Sequence, residues 1–308
     1  MSEGSFSRGL GEWIGSAEVY DSAGRFAGTG RDTRTVRVDD GAGRITVDVS
    51  FEGPFSLSGT YTIADHGSQR TYEGPLNVGL AEVLGDGLVA AHNYWPSAGL
   101  SQRFFLMALP GGNHQLSLAL LSRGDRLRWT VVGEYQRQAG APVRSPAPVE
   151  PIDPAAARDD PTAGRSRLLL LRSGRWSGRL HRLGGDLEPS GTVDCSETFS
   201  PADPDPAPPG SEAMEVQLSG LGFAADASFT LLSDGWTVWT GTGDIVGSAG
   251  LSGGRGLSGQ FHHDRADCRV WRREVASRDG TIKAVLQIWY RGEHRLGAVY
   301  GTMAFDPA

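Results

Sequence analysis

The chain opens a strand-like stretch twice with the same five-residue frame, Gly-Glu-Trp-Ile-Gly at 11–15 and Gly-Arg-Trp-Ser-Gly at 174–178. Behind each frame the matches keep their order. FAGT at 26–29 answers to PSGT at 189–192. VSFEGPFSLSGTYTIADHG at 49–67 aligns with VQLSGLGFAADASFTLLSDG at 216–235, and QLSLALLSRGDRL at 115–127 with KAVLQIWYRGEHRL at 283–296, each with a one-residue shift. A period of about 165 residues is too long for a solenoid repeat and right for two whole domains. A length of 308 residues carries two cores of ordinary size. The copies are expected at 1–138 and 168–308. The stretch 139–167, rich in proline and alanine and without periodicity, reads as an extended linker.

Within each copy the period is that of strands. In RITVDVSFEG, Ile45, Val47, Val49 and Phe51 point one way and Thr46, Asp48, Ser50 and Glu52 the other. PFSLSGTYTI repeats the pattern with Phe55, Leu57, Tyr61 and Ile63, and RWTVVGEYQR with Trp129, Val131 and Tyr135. The 44 glycines, about twice the usual share, fall largely between such runs, where turns, bulges and close strand approaches need them. Only LNVGLAEVLG after Pro75 has the spacing of a short helix. Short strands at close intervals with glycine turns predict an all-β chain of antiparallel barrels or sandwiches. A second proline cluster, SPADPDPAPPG at 200–210, stands where the first copy has the compact turn DDGAGR. It reads as a tolerated loop insertion, with a lid over a pocket as the alternative.

The Gly-x-Trp-x-Gly frame, about eight strand-like stretches after it and an Arg-Gly-acid turn before the last one resemble the lipocalin or calycin pattern. Two such domains in tandem resemble the carotenoid hydratase-like proteins and the tandem-lipocalin cyclases of natural-product pathways, some Diels–Alderases among them. The resemblance implies two tandem lipocalin-like antiparallel β-barrels joined by the Pro/Ala-rich linker, and a hydrophobic small-molecule substrate or ligand. It places no catalytic motif on any residue here. Physics supports the ligand class independently. An eight-stranded barrel has room for side chains or one small guest, and a face of Ile45, Val47, Val49 and Phe51 would line it with apolar groups. Trp13 and Trp176 are expected to be structural plugs.

The most polar-aromatic clusters of the two copies then fall at one place. With RGDRL set against RGEHRL, LVAAHNYW at 88–95 lies opposite LSGQFHHD at 257–264, so Asn93, Tyr94 and Trp95 stand across from His262, His263 and Asp264. Histidines titrate near neutrality, and a neighbouring carboxylate can orient them for proton transfer. On a regular strand His92 and Tyr94 share one face, and His262 and Asp264 share one. The candidate catalytic residues are therefore His92, Tyr94, His262 and Asp264. The candidate binding residues are Asn93, Trp95, His263, Phe51, Val49 and Tyr61. The competing reading makes HHD a solvated turn and HNYW a half-buried strand end. Asp32, Asp48, Glu18, Glu134, Asp194 and Glu197 alternate with apolar residues and are expected on water-facing sides. One of them buried would be held protonated by desolvation and act as an acid.

Other classes find no support. A net charge of −7 with no basic block argues against nucleic acid. No apolar run reaches a membrane span, and MSEGSFSRGLGEW has neither the basic nor the apolar region of a signal peptide, so a cytoplasmic protein without membrane insertion is expected. Cys195 and Cys268 fit no zinc spacing and read as reduced thiols, with a mutual disulfide as the alternative; no metal is expected. Lys283 is the only lysine, which confines any lysine-based covalent chemistry to one position. There is no Gly-x-Ser-x-Gly elbow, no P-loop and no HExxH. GTGDIVGSAG, LSGGRG and GTGRDTRT precede no helix, so no dinucleotide cradle and no cofactor are expected. Two functions stay open for a monomer or homodimer. One is a cofactor-free cyclase, isomerase or hydratase that folds a polyketide- or terpenoid-like intermediate in an apolar pocket, inside one barrel or near the domain junction. The other is a carrier of such a molecule.

Overall fold

The computed structural model describes residues 8–38, 44–67, 69–85, 87–138, 168–202 and 211–308. The chain separates into two compact units, Met1–Pro151 and Ile152–Ala308. The linker expected at 139–167, and residues 203–210 of the proline cluster at 200–210 with its lid reading, lie outside the described residues.

Each unit is a closed antiparallel barrel of ten strands, so the expectation of about eight is corrected upward. The first comprises β1 (Gly11–Asp21), β2 (Phe26–Val38), β3 (Arg44–Glu52), β4 (Ser56–Asp65), β5 (Gln69–Glu73), β6 (Val78–Glu82), β7 (Leu88–Trp95), β8 (Leu100–Ala108), β9 (His114–Arg123) and β10 (Arg126–Arg137). The second comprises β11 (Gly174–Leu183), β12 (Pro189–Pro201), β13 (Glu212–Ser219), β14 (Ala227–Ser233), β15 (Thr237–Gly243), β16 (Ile245–Ser252), β17 (Gly256–His263), β18 (Cys268–Ala276), β19 (Ile282–Arg291) and β20 (His294–Pro307). Every strand pairs with its sequence neighbours, and the first and last strands of each unit pair with each other, so no edge is left open. The miscount arose at β5 and β6. The stretch after Pro75 is the strand β6, because Gly79 and Ala81 turn inward while Val78 and Leu80 turn outward, and both neighbours supply hydrogen-bonding partners.

The repeated frame closes one end of each barrel. Trp13 and Trp176 are almost wholly buried, as expected of plugs. Trp13 donates its indole N–H to the carbonyl of Gly9 at 2.9 Å, and the Arg137 guanidinium lies over its ring at 5.0 Å. Trp176 packs against Phe305 with ring centroids 4.9 Å apart. The second glycine of each frame makes room for what stands on the closing strand. A Cβ on Gly15 would lie 2.1 Å from the Tyr135 ring, and one on Gly178 would lie 2.3 Å from the Thr302 carbonyl oxygen. Gly30 does the same for Phe51, whose ring tip would be 2.3 Å from an added Cβ. Gly15 and Gly30 let large rings lie close across the interior, and Gly178 lets the closing strand's backbone approach.

The two cores differ in continuity. In the second barrel one apolar cluster runs from Leu168 to Met303. In the first, the apolar residues fall into separate clusters around Phe51, Ile45, Trp13 and Trp95. Polar side chains interrupt them.

The close approach at Gly15 is testable. Gly15→Ala should cost roughly 1–3 kcal/mol in urea unfolding, because a packed aromatic ring must move. In a Tyr135→Ala background the same change should cost much less; additive costs would show that the ring is not what excludes the methyl group.

Candidate functional site

The interior of the first barrel holds a cavity with about 620 Å³ of empty space, its opening to solvent included. The wall is largely aromatic. Phe51 stacks on Phe55 at 4.7 Å and Phe55 on Trp129 at 6.1 Å, while Tyr61 meets Trp95 edge-on at 6.0 Å. Trp95 ends β7, far along the barrel from the Trp13 plug, and its indole N–H donates to Gln102 Oε1 at 2.8 Å.

A polar cluster begins beside Trp13, where Arg34 is its cross-strand partner, and continues to Asp32 and Tyr135 opposite Gly15. Asp32 and Arg34 sit two residues apart on β2, so they share the inner face with Val36. Arg34 donates through Nε to Asp32 Oδ1 at 3.1 Å and through Nη2 to Oδ2 at 2.5 Å. The same Nη2 reaches the Tyr135 hydroxyl at 2.7 Å. Tyr135 donates to Asp32 Oδ2 at 2.9 Å, and Ser117 donates to Tyr135 at 3.2 Å. The Arg34 guanidinium also lies 5.3 Å from the centre of the Phe104 ring. Burial by itself would push Arg34 down, but Asp32 beside it outweighs that and holds the guanidinium above its ordinary value. Burial pushes the Tyr61 hydroxyl up to about 12, and drives Tyr72 and Tyr135 up as well. All three phenols are therefore neutral donors at pH 7. With 16% of its side chain still accessible, Arg34 keeps part of its guanidinium on the cavity wall. Asn93 lines the same wall, and its carbonyl oxygen has no hydrogen-bond partner.

The second barrel encloses about 500 Å³, again with its opening counted. Its charged cluster lies beside the Trp176 plug. Lys283 donates to Glu197 at 2.6 Å and to Glu274 at 2.8 Å. Arg272 bridges the same two carboxylates, at 2.5 Å to Glu197 and in close contact with Glu274. The four charges sum to zero. Burial would raise Glu197, but Arg272 and Lys283 prevail and hold it down at about 2. Lys283 is fully buried and lies 5.1 Å from the centre of the Trp176 ring. His263 faces the cavity from the far end of β17, with its ring 4.9 Å from Trp289. Burial, and then Arg272 and His262, push its pKa down to about 4, so it is neutral at pH 7.

The residues singled out in sequence separate by face. Phe51, Val49, Tyr61, Asn93 and Trp95 line the first cavity, and His263 lines the second. His92 and Tyr94 do share a face, but it is the outer one, where Tyr94 is 44% exposed beside the outward Val78 and Leu80. His262 and Asp264 come together at 3.6 Å, yet both are exposed, and Asp264 opens a single 3-10 turn, Asp264–Ala266. These four reach neither cavity. Strand alternation dictates this: once Asn93, Trp95 and His263 point inward, their neighbours in sequence point out. The matching of the copies also needs a shift of one residue. Trp95 pairs with Leu100 and His263 with Cys268 across equivalent turns, which sets Trp95 against His263 and Asn93 against Phe261.

Of the carboxylates expected to face water, Asp48 and Asp194 do not enter the core, whereas Asp32, Glu18, Glu134 and Glu197 are buried. Glu18 accepts from Tyr20 at 2.7 Å, and Glu134 lies 2.9 Å from His114. Asp32, Arg34, Arg272, Glu274 and Lys283 were not read as interior residues. The available signal was period two carried through a polar strand. Val36 marks the face of Asp32 and Arg34 as interior, and Val270 and Ala276 mark that of Arg272 and Glu274. Both cysteines are buried and free, so they do not form a disulfide. Cys195 donates its thiol to the Gly220 carbonyl at 2.7 Å, and burial, with Glu197 nearby, pushes it up to about 12. Among the described residues no group of three or more His, Cys, Asp or Glu side chains is placed to hold a metal, and no helix is long and apolar enough to cross a membrane.

Comparison with solved structures identifies the fold. A protein of unknown function from the DUF3598 family of Nostoc punctiforme matches with a TM-score of 0.52 at 13% identity, over 97% of this chain and 96% of that one. The S-type phycobiliprotein lyase of Guillardia theta matches 44% of this chain and 92% of its own at 10% identity, with a TM-score of 0.35. No known family model and no curated protein matches the chain. The fold is thus an all-β tandem of two closed ten-stranded antiparallel barrels, shared with the Nostoc protein.

Two measurements test the electrostatics. Asp32→Asn leaves the Arg34 charge buried without its counter-ion and should cost roughly 3–5 kcal/mol in chemical denaturation. Asp32→Leu with Arg34→Met should recover most of that; an Asp32→Asn variant as stable as the parent would contradict the pairing. For His263 the folded pKa lies below the unfolded one. Between them the unfolded chain binds the extra proton, so stability falls as pH drops from about 6.5 towards 4. The loss should reach up to roughly 3 kcal/mol. His263→Phe should remove that part of the pH dependence, and an unchanged profile would refute it.

Proposed function

We propose that the first barrel binds an apolar, conjugated small molecule, and that the chain acts as its binding protein. The observation that carries this reading is an aromatic-walled cavity that presents neutral phenols along its wall and a charge-compensated guanidinium at its inner end. Stacked and edge-on rings favour a flat guest, since aromatic pairs contribute beyond the area they bury. Arg34 and Tyr135 at the inner end, with Tyr61 and Asn93 farther along the wall, would orient it. Because Asp32 already neutralises Arg34, the site favours a polar but uncharged group there, such as a carbonyl or hydroxyl.

A catalytic reading, the cofactor-free cyclase, isomerase or hydratase, draws its support from the same end. Arg34 and Tyr135 are hydrogen-bond donors on the wall, and polarising a carbonyl while folding the guest into a reactive conformer needs little more. His92, Tyr94, His262 and Asp264 face outward and lend that role no support inside either cavity. Carriage therefore stands ahead of catalysis.

N-phenylnaphthylamine, a neutral flat fluorophore, should bind saturably to the full chain. Ala119→Phe, which fills this cavity, should weaken it at least roughly tenfold, or about 1.4 kcal/mol. Absent binding, or binding indifferent to the filled cavity, would overturn the reading. A pathway intermediate supplied by enzymes encoded nearby separates the two roles. Conversion that falls with Tyr135→Phe while binding persists supports catalysis, and binding without conversion supports carriage.

A further inference from the structure

The two interiors are built on one register and carry opposite chemistry. Tyr61 and Phe229 occupy equivalent places, paired with Val47 and Val216. Gln102 and Val270 likewise face Leu121 and Trp289. Asn93 is replaced by Phe261, and Trp95 by His263. Opposite the second glycine of the frame, Tyr135 gives way to Met303. Nearly every hydroxyl and amide on the first wall has thus become hydrocarbon on the second. The charges of the second barrel are gathered beside Trp176, where each carboxylate is held by both Lys283 and Arg272.

We infer that the second barrel is a separate binding site for a slender aliphatic chain carrying one neutral hydrogen-bonding headgroup, an alcohol in the simplest case, with the head at His263. Three observations converge on this. The cavity, about 500 Å³ with its opening counted, is walled mainly by aliphatic side chains and phenylalanines, with no tyrosine or tryptophan among its lining residues. Such a wall rewards a flexible hydrocarbon through burial alone. The charged cluster offers no counter-ion to a guest, since its two cations and two anions already satisfy one another. An ionised head would therefore be buried without compensation. Among the described lining residues the remaining polar group is His263, 4% exposed and uncharged at pH 7, able to donate through one ring nitrogen or accept through the other. The charged and titratable groups around it are Arg272, His262, Asp244 and Asp264; Arg272 and His262 oppose its protonation, and the two aspartates favour it.

The site is independent of the first barrel, so it is tested with a different probe. Decanol and decanoate are titrated into the full chain at pH 8 by calorimetry. Decanol should bind at about one equivalent per chain and roughly tenfold or more tighter than decanoate. Val270→Phe, which fills the second cavity, should abolish decanol binding, and Ala119→Phe, which fills the first, should leave it intact. His263→Phe conserves volume and apolarity; it should weaken decanol several-fold while preserving the fold's far-ultraviolet circular dichroism, so the claim survives a Val270→Phe variant that fails to fold. Absence of decanol binding, loss with Ala119→Phe alone, or equal affinity for decanoate would each overturn the inference. Failure of N-phenylnaphthylamine to bind leaves it standing.

Discussion

Charge compensation inside a closed barrel is the constraint on which this molecule depends. A closed ten-stranded ring pairs each strand on both sides and leaves the interior to side chains. An ion placed there loses its water and must find partners at hydrogen-bond distance. The chain meets this twice, in different ways. In the first barrel one carboxylate and one guanidinium are joined by a phenol, and in the second two carboxylates are gripped by an ammonium and a guanidinium. Both arrangements are neutral overall. That neutrality leaves each cavity a low-dielectric space with directional hydrogen bonds and no net field to attract an ion.

The two barrels share strand order and register but differ in where their polarity lies. The register places Arg34 beside Trp13 and Glu197 beside Trp176, so one site carries a cation in one copy and an anion in the other. Each inversion required partners of the opposite sign on neighbouring strands. Phe104 and Arg272 are equivalent by their pairing with Ala119 and Gln287. The polar groups of the first copy extend from Arg34 beside the plug to Asn93 and Gln102 farther along, whereas the charges of the second stay beside its plug and leave the lining above them apolar apart from His263. Two copies of one scaffold have thereby acquired different walls.

How much of this was legible follows from what period two conveys. The paired Gly-x-Trp-x-Gly frames, the alternation in RITVDVSFEG and the turn signals yield two all-β barrels, because those features depend on local pattern. Short β5 and β6 were missed: Val78, Gly79, Leu80 and Ala81 lack a run long enough to distinguish strand from helix. The site was legible only in part. Asn93, Trp95 and His263 do face inward, but which parity of HNYW and HHD does so depends on pairing with β6, β8, β16 and β18. Asp32 and Arg34 look like a solvated strand until the apolar Val36 on their own face is given weight. Lys283 offers no local sign of burial, since its counter-ions come from residues 86 and 9 positions away.

The most direct test is a crystal structure of the full chain grown with N-phenylnaphthylamine. The account predicts density for the fluorophore inside the first barrel, flat between Phe51, Tyr61 and Trp95, with its nitrogen towards Arg34 and Tyr135. Density on the outer face beside His92 and Tyr94, with the interior closed by side chains, would contradict it.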